Sequence, residues 1–180
     1  MNAHNTIAQQ LGSFAAGLAL EHVPQATRQR AKLLLLDAVG VALASASFDF
    51  GRRAVRGLAA LDSGNAQVIG LPQRLAVRDA VLANGILAHG LDFDDTSISA
   101  RVHAGAACMP AALTLAAALG KSGSQMLLAY IAGMECAMRI GAVAKGGFKE
   151  QGFYPIGVAG VFATAIIAGR LLGLTAEQLA

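Results

Sequence analysis

The sequence predicts an all-α fold, a bundle of several helices, and three observations carry that prediction. Apolar residues recur at helical spacing over most of the 180 residues. Helix-start signals recur too, as capping boxes at Thr6-Ile-Ala-Gln9 and Thr175-Ala-Glu-Gln178 and as a serine cap at Ser122 or Ser124. Only residues 66–69 read as a strand-like run. Hydrophobic residues make up 55% and charged residues 14% of the chain, both shifted toward burial. A chain this long folds as one domain and buries roughly 70% of its unfolded surface.

In order, the Thr6 box opens a helix whose apolar residues keep helical spacing through Leu20. Pro24 suits the first turn of a second helix, running through residues 28–47. Its rear half is apolar nearly all round and is therefore expected at the centre of the bundle. Asp37 is expected there to bond a neighbouring helix end. Residues 51–61 make a third, amphipathic helix, ended by Ser63-Gly64-Asn65, and residues 76–91 a fourth. Pro110 opens an alanine-rich helix to Leu119. Gly120-Lys121-Ser122 looks like the tail of a P-loop. Leu115 stands where its first glycine is needed and no strand precedes it, which excludes a nucleotide site. The next helix runs through Ala144, with Glu135 and Arg139 spaced for an ion pair. Residues 145–155 read as a mobile loop, and Pro155 begins a helix in which Gly157, Gly160 and Gly169 permit close contact. The Thr175 box announces a helix too short to nucleate alone, so the natural domain is expected to continue.

Composition narrows the partners. The net charge is +3 with no basic run, and Arg28, Arg30, Lys32, Arg52, Arg53 and Arg56 are dispersed, which argues against nucleic acid. The longest clean apolar run, residues 154–169, falls short of the ~20 residues of a membrane span. No basic start followed by an apolar core opens the chain, so a cytoplasmic protein is expected. Cys108 and Cys136 lack metal-ligand spacing and read as buried free thiols.

The chemistry gathers in residues 83–110, which hold three of seven aspartates and two of four histidines. If the helix continues through Thr96, then His89, Asp92 and Thr96 share a face. If the chain extends instead, Asp92 and Asp94 share a side and Asp95 points away. Either way carboxylates crowd together, which raises at least one pKa. His103 lies past a turn-prone segment and can fold back to form a carboxylate–imidazole pair able to move protons. The plain alternative is a helix end with a solvated acidic loop, and His89 reads as a core residue. Asp-Phe-Asp-Asp also matches the acid of protonation-initiated terpene cyclases, but such cavities need aromatic walls and the chain has no Trp.

These residues resemble the MmgE/PrpD family, which includes 2-methylcitrate dehydratase, cis-aconitate decarboxylase and an iminodisuccinate epimerase. The matching stretches are residues 33–44, 83–96, 102–113, 120–140 and 152–179, with His-Gly-Leu-Asp-Phe-Asp-Asp-Thr at 89–96 the most specific. The resemblance implies a metal- and cofactor-free homodimeric lyase, a dehydratase acting on a small di- or tricarboxylic acid such as 2-methylcitrate. Decarboxylase and epimerase activities are the family's alternatives. It implies catalytic roles for Asp92, Thr96, His103 and Tyr154, and makes Asp95, Arg101 and Lys145 candidate substrate-binding residues. Residues 1–180 would form the front of the large helical domain, without the α/β lid. A catalytic lysine and a further histidine of the family would lie beyond Ala180, so residues 1–180 alone are expected to be inactive. Two departures stand out: Gly152-Phe-Tyr-Pro-Ile156 replaces Gly-Phe-His-Pro-Thr, and Ala104 replaces a proline. They leave open a second reading, a non-catalytic helical dimerisation module.

Overall fold

A computed structural model describes residues 6–180, among which nine α-helices and one two-stranded hairpin make up the regular structure apart from a short 3-10 turn. The beginning of the chain, on which the signal-peptide expectation rests, lies outside those residues. The helices are α1 (Ile7–Gly17), α2 (Gln25–Ala46), α3 (Asp49–Ala59), α4 (Val77–His89), α5 (Gly105–Ala118), α6 (Gly123–Ala144), α7 (Gly147–Glu150), α8 (Pro155–Leu172) and α9 (Ala176–Leu179). Capping boxes start α1, α6 and α9, from Thr6, Ser122 and Thr175. In each, the cap hydroxyl takes one orphan N–H and the N3 glutamine returns the bond.

The core lies where α6 packs on α8 and α5 bridges both to α4. Leu87, Met109, Tyr130 and Ile167 are fully buried there, each apolar side chain stabilising the fold by roughly 2 kcal/mol. A Cβ at Gly133 would run into the Ile167 side chain at 2.5 Å, so glycine lets α6 and α8 approach. Gly160 and Gly169 are likewise close-packed, against Ala107 and Leu179, whereas Gly157 meets nothing. The Glu135–Arg139 pair forms, at 2.6 Å. Both cysteines are free and buried, and burial pushes each thiol pKa up.

Five expectations change. The strand-like run at 66–69 contributes β1 (Ala66–Gln67), but it has a partner, β2 (Arg74–Leu75), antiparallel to it. Buried Asn84 ties this hairpin to α4, accepting from the Ile69 N–H at 2.8 Å and donating to the Gln67 carbonyl and Thr114 hydroxyl. Pro110 lies inside α5 rather than at its start. A proline there cannot bond the carbonyl four residues back, and that carbonyl, of Ala106, instead lies against Gly85 of α4. The rear of α2 is not central: its packed stripe is Ala31, Leu35, Ala38, Ala42 and Ala46, while Leu33, Leu36, Leu43 and Asp37 are exposed. Asp37 borders an open groove with Tyr130, Met134 and Met138 of α6, and no hydrogen bond ties it to a helix end among the described residues. Residues 147–150 coil into α7 instead of remaining loop.

The fifth concerns length. As folded helices, α6 and α8 are long and apolar enough to cross a membrane, because glycines at 157 and 160 do not interrupt α8. The length argument against membrane contact therefore fails for them. Here about half of each helix's most apolar stretch, 56% and 44%, is buried within the protein.

Candidate active site

The site is made by how α4 stops. The helix ends at His89, and Asp92 then adopts a left-handed backbone, φ 53°, with its N–H donating to the His89 carbonyl at 2.9 Å. Aspartate tolerates that conformation better than most residues. The chain neither continues as helix nor extends. The left-handed turn folds Asp94 back beneath His89, a pairing five residues apart that no helical or strand period contains. An isolated bridge between Ser97 and Val102 closes the next loop, with Arg101 also left-handed at φ 55°. That closure returns His103 to Thr96.

Two imidazoles approach the Asp94 carboxylate, which has no exposed area, and Thr96 and Tyr154 join the cluster through them. His89 Nδ1 lies 3.0 and 3.1 Å from its two oxygens. His103 Nδ1 lies 4.0 Å from Oδ2 and 3.0 Å from the Thr96 hydroxyl. Tyr154, at the head of α8, places its hydroxyl 3.1 Å from His89 Nε2. The three rings cluster, His89 lying 5.8 Å from both His103 and Tyr154, and His103 stacking on Tyr154 at 6.5 Å. Acceptors beside both Nδ1 atoms favour the proton there, leaving each Nε2 lone pair available. For His103 the Thr96 hydroxyl completes a chain, accepting from Nδ1 and facing the Asp94 carbonyl at 3.5 Å. Partial burial, followed by the charges of Asp92 and Asp94, raises the Tyr154 pKa. Tyr154 therefore keeps its proton and suits an acid; His103 Nε2 suits a base.

Of the residues expected from sequence, Thr96, His103 and Tyr154 meet in this cluster. Asp92 is exposed at its rim, its carboxylate grouped with His89 and Asp94. Asp95 turns to the opposite side of the loop. Its carboxylate fills the space that a Cβ at Gly105 would need, at the start of α5. It also lines a groove of about 780 Å³ with Asp37 and Tyr130, a groove that Thr96 borders as well. Burial, then the Asp94 charge, raises the Asp95 pKa, while the Gly105 N–H pulls it the other way. Arg101 packs its guanidinium on Gly146, the residue that follows the left-handed Lys145 at the end of α6. Sequence reasoning passed over His89 and Asp94, because only the left-handed turn at Asp92 brings them together.

His89, Asp92 and Asp94 are the one group among the described residues whose donor atoms, within 4.8 Å of one another, come close enough to hold a metal ion. Nδ1 of His89 already has Asp94 as its partner, so the hydrogen-bonded arrangement accounts for both groups without an ion.

Fold and site together define a helical domain that presents two imidazoles and a phenol around a buried carboxylate. The chain belongs to the MmgE/PrpD family, since the family model for the MmgE/PrpD N-terminal domain matches residues 9–180. It is 28% identical over 185 residues to the cis-aconitate decarboxylase of Aspergillus terreus, covering 99% of this chain and 38% of that protein. The cis-aconitate decarboxylase of Homo sapiens is 30% identical over 180 residues, covering 96% and 37%, and that of Mus musculus 27% over 177 residues, covering 94% and 36%. The chain thus spans less than two-fifths of the length of these curated relatives.

Proposed function

We propose that this chain supplies the acid–base half of a lyase that acts on a small di- or tricarboxylic acid, with decarboxylation of a cis-aconitate-like substrate as the leading reaction. The exposed phenol of Tyr154, set against the imidazole of His89 that Asp94 holds, carries this reading. Loss of CO2 next to a second carboxylate leaves an electron pair on carbon, and the reaction ends when an acid protonates that carbon. Tyr154, held in its protonated form by its surroundings, is that acid. Thr96, whose hydroxyl makes only a long 3.5 Å bond to the Asp94 carbonyl, can turn that proton to a substrate carboxylate, and Arg101 and Lys145 offer positive charge to a polyanion that Asp92 would otherwise repel. The curated relatives' names favour decarboxylation.

Dehydration of a 2-methylcitrate-like acid is the second reading, favoured by His103, because a base that removes a proton next to a carboxylate has no task in decarboxylation alone. Both readings take the protein to be a cytoplasmic homodimer working without nucleic acid or membrane. The outward leucines of α2, Leu33, Leu36 and Leu43, offer an apolar face to a second subunit. The deciding experiment incubates the protein at its full natural length, rather than residues 1–180 alone, with cis-aconitate and with 2-methylcitrate in D2O and follows CO2 and product by NMR. CO2 release with one deuterium entering carbon supports decarboxylation. An alkene formed from 2-methylcitrate without CO2 supports dehydration. No turnover of either acid sinks both.

A further inference from the structure

Tyr154 gives up one proton in each turnover and must take one back before the next, a need that the surrounding carboxylates sharpen by disfavouring the phenolate. The structure places a proton source against it. The Tyr154 hydroxyl contacts His89 Nε2 at 3.1 Å, and His89 Nδ1 is held by both oxygens of Asp94 at 3.0 and 3.1 Å. Asp94 has no exposed side-chain area, whereas about a third of the His89 side chain, 35%, remains open to solvent. A line runs from a fully enclosed carboxylate through a half-open imidazole to an exposed phenol, at the end of the line where a substrate can reach it. Nothing in a core packing role requires that order. A core histidine needs its polar atoms satisfied, but not by a hydroxyl at the head of another helix, 65 residues away.

We propose that His89 is a positioning and proton-supplying residue that refills Tyr154 in every cycle, with Asp94 fixing its orientation. The proposal rests on the lyase reading for its substrate but not for its proton chemistry. In the step, the Tyr154 O–H bond breaks as its proton passes to the substrate carbon, whose electron pair forms the new C–H bond. The N–H bond at Nε2 of protonated His89 breaks, and its proton joins the phenolate oxygen while the electron pair stays on nitrogen. His89 is then neutral, its Nδ1–H still donated to Asp94, and solvent returns a proton to Nε2. One solvent proton is consumed per molecule of CO2 released, as decarboxylation demands. His103, whose Nδ1 faces Thr96 instead, has no contact with the Tyr154 hydroxyl comparable to that of His89. The two imidazoles therefore divide the work, and only His89 refills the acid.

The titratable groups facing His89 are Asp92 and Asp94 from its own loop, His103 beyond the Ser97–Val102 closure and Tyr154 from α8. The test combines kinetics with nitrogen NMR of histidine-labelled protein. In the wild type, His89 is expected to keep its Nδ1 proton throughout while Nε2 titrates, and Tyr154→Phe should move that titration. The alkaline limb of kcat should follow the same midpoint and should disappear in His89→Gln. Tyr154→Phe and His89→Gln should each lower kcat by about 10²–10³-fold, and the double variant should be no slower than the slower single one, because both act on one proton. Multiplicative losses, an alkaline limb that survives His89→Gln, or an Nε2 titration indifferent to Tyr154→Phe would each overturn the relay. Tyr154 is half-exposed, so its phenylalanine variant leaves the core intact and keeps the NMR arm decisive. If the wild type turns over neither acid, the lyase reading fails by itself, and the NMR titrations still decide whether the proton line exists.

Discussion

Asp94 and Asp95 are neighbours in sequence with opposite fates. Asp94 is enclosed and answered, with two imidazoles and a threonine hydroxyl gathered around it. Asp95 points across the loop to the start of α5 and the α2–α6 groove, where its Oδ1 and the Tyr130 hydroxyl are both buried without a hydrogen-bond partner. The same chemical group is thus satisfied on one side and strained on the other. At Asp95 burial and the neighbouring Asp94 charge resist ionisation more than the Gly105 N–H favours it. The site needs the satisfied carboxylate to orient its rings, and the strained one is a cost of making the turn.

The contrast gives four further expectations, in falling order of size. Asp94→Asn keeps the shape but offers an amide where His89 needs an acceptor, so kcat should fall by about 10²–10⁴-fold with the fold retained; steady-state kinetics beside circular dichroism will read this, and a loss under tenfold would reduce Asp94 to packing. Gly105→Val drives a side chain into the space the Asp95 carboxylate occupies. Urea unfolding should show a loss of about 2–3 kcal/mol, and an unchanged midpoint would mean the loop adjusts freely.

The third expectation concerns pH. The Asp95 pKa is raised in the folded state, so its ionisation works against folding. That penalty is absent below the unfolded-state pKa and grows as pH rises through the folded-state value. Asp95→Asn should therefore raise the unfolding midpoint at about pH 7, and the gain should vanish toward about pH 3. A gain constant across that range would show the effect is not one of charge. Smallest of all, Tyr130→Phe removes a hydroxyl with no partner and should change stability by less than about 0.5 kcal/mol or increase it. A larger loss in thermal unfolding would reveal a bond that Tyr154 has and Tyr130 was thought to lack.

Most of the fold was legible because it depends on local signals. The capping boxes at Thr6 and Thr175, Pro155 at the head of α8 and the end of α6 at Ala144 all lie where the sequence put them, and of the two serines offered for α6 it is Ser122 that caps it. What escaped depends on neighbours. The place of Pro110 inside α5 and the exposed face of α2 depend on which helices lie beside them, and β2 is too short to carry a period. The site divides in the same way. Thr96, His103 and Tyr154 were marked by motif, but the His89–Asp94 pair rests on one left-handed residue, Asp92, and no spacing rule anticipates it.

Arg170 of α8 donates to the carbonyl of Leu18, a bond spanning 152 positions, and α9 lies along α1, with the Ala176 carbonyl against Gly12. During synthesis the first helix therefore emerges long before the surface it belongs to. Chains grow at roughly 5–20 residues per second, so α1 spends many seconds as an apolar helix without a mate. Its docking waits for α8 and α9, so α1 stays open to capture by a chaperone until they have been made.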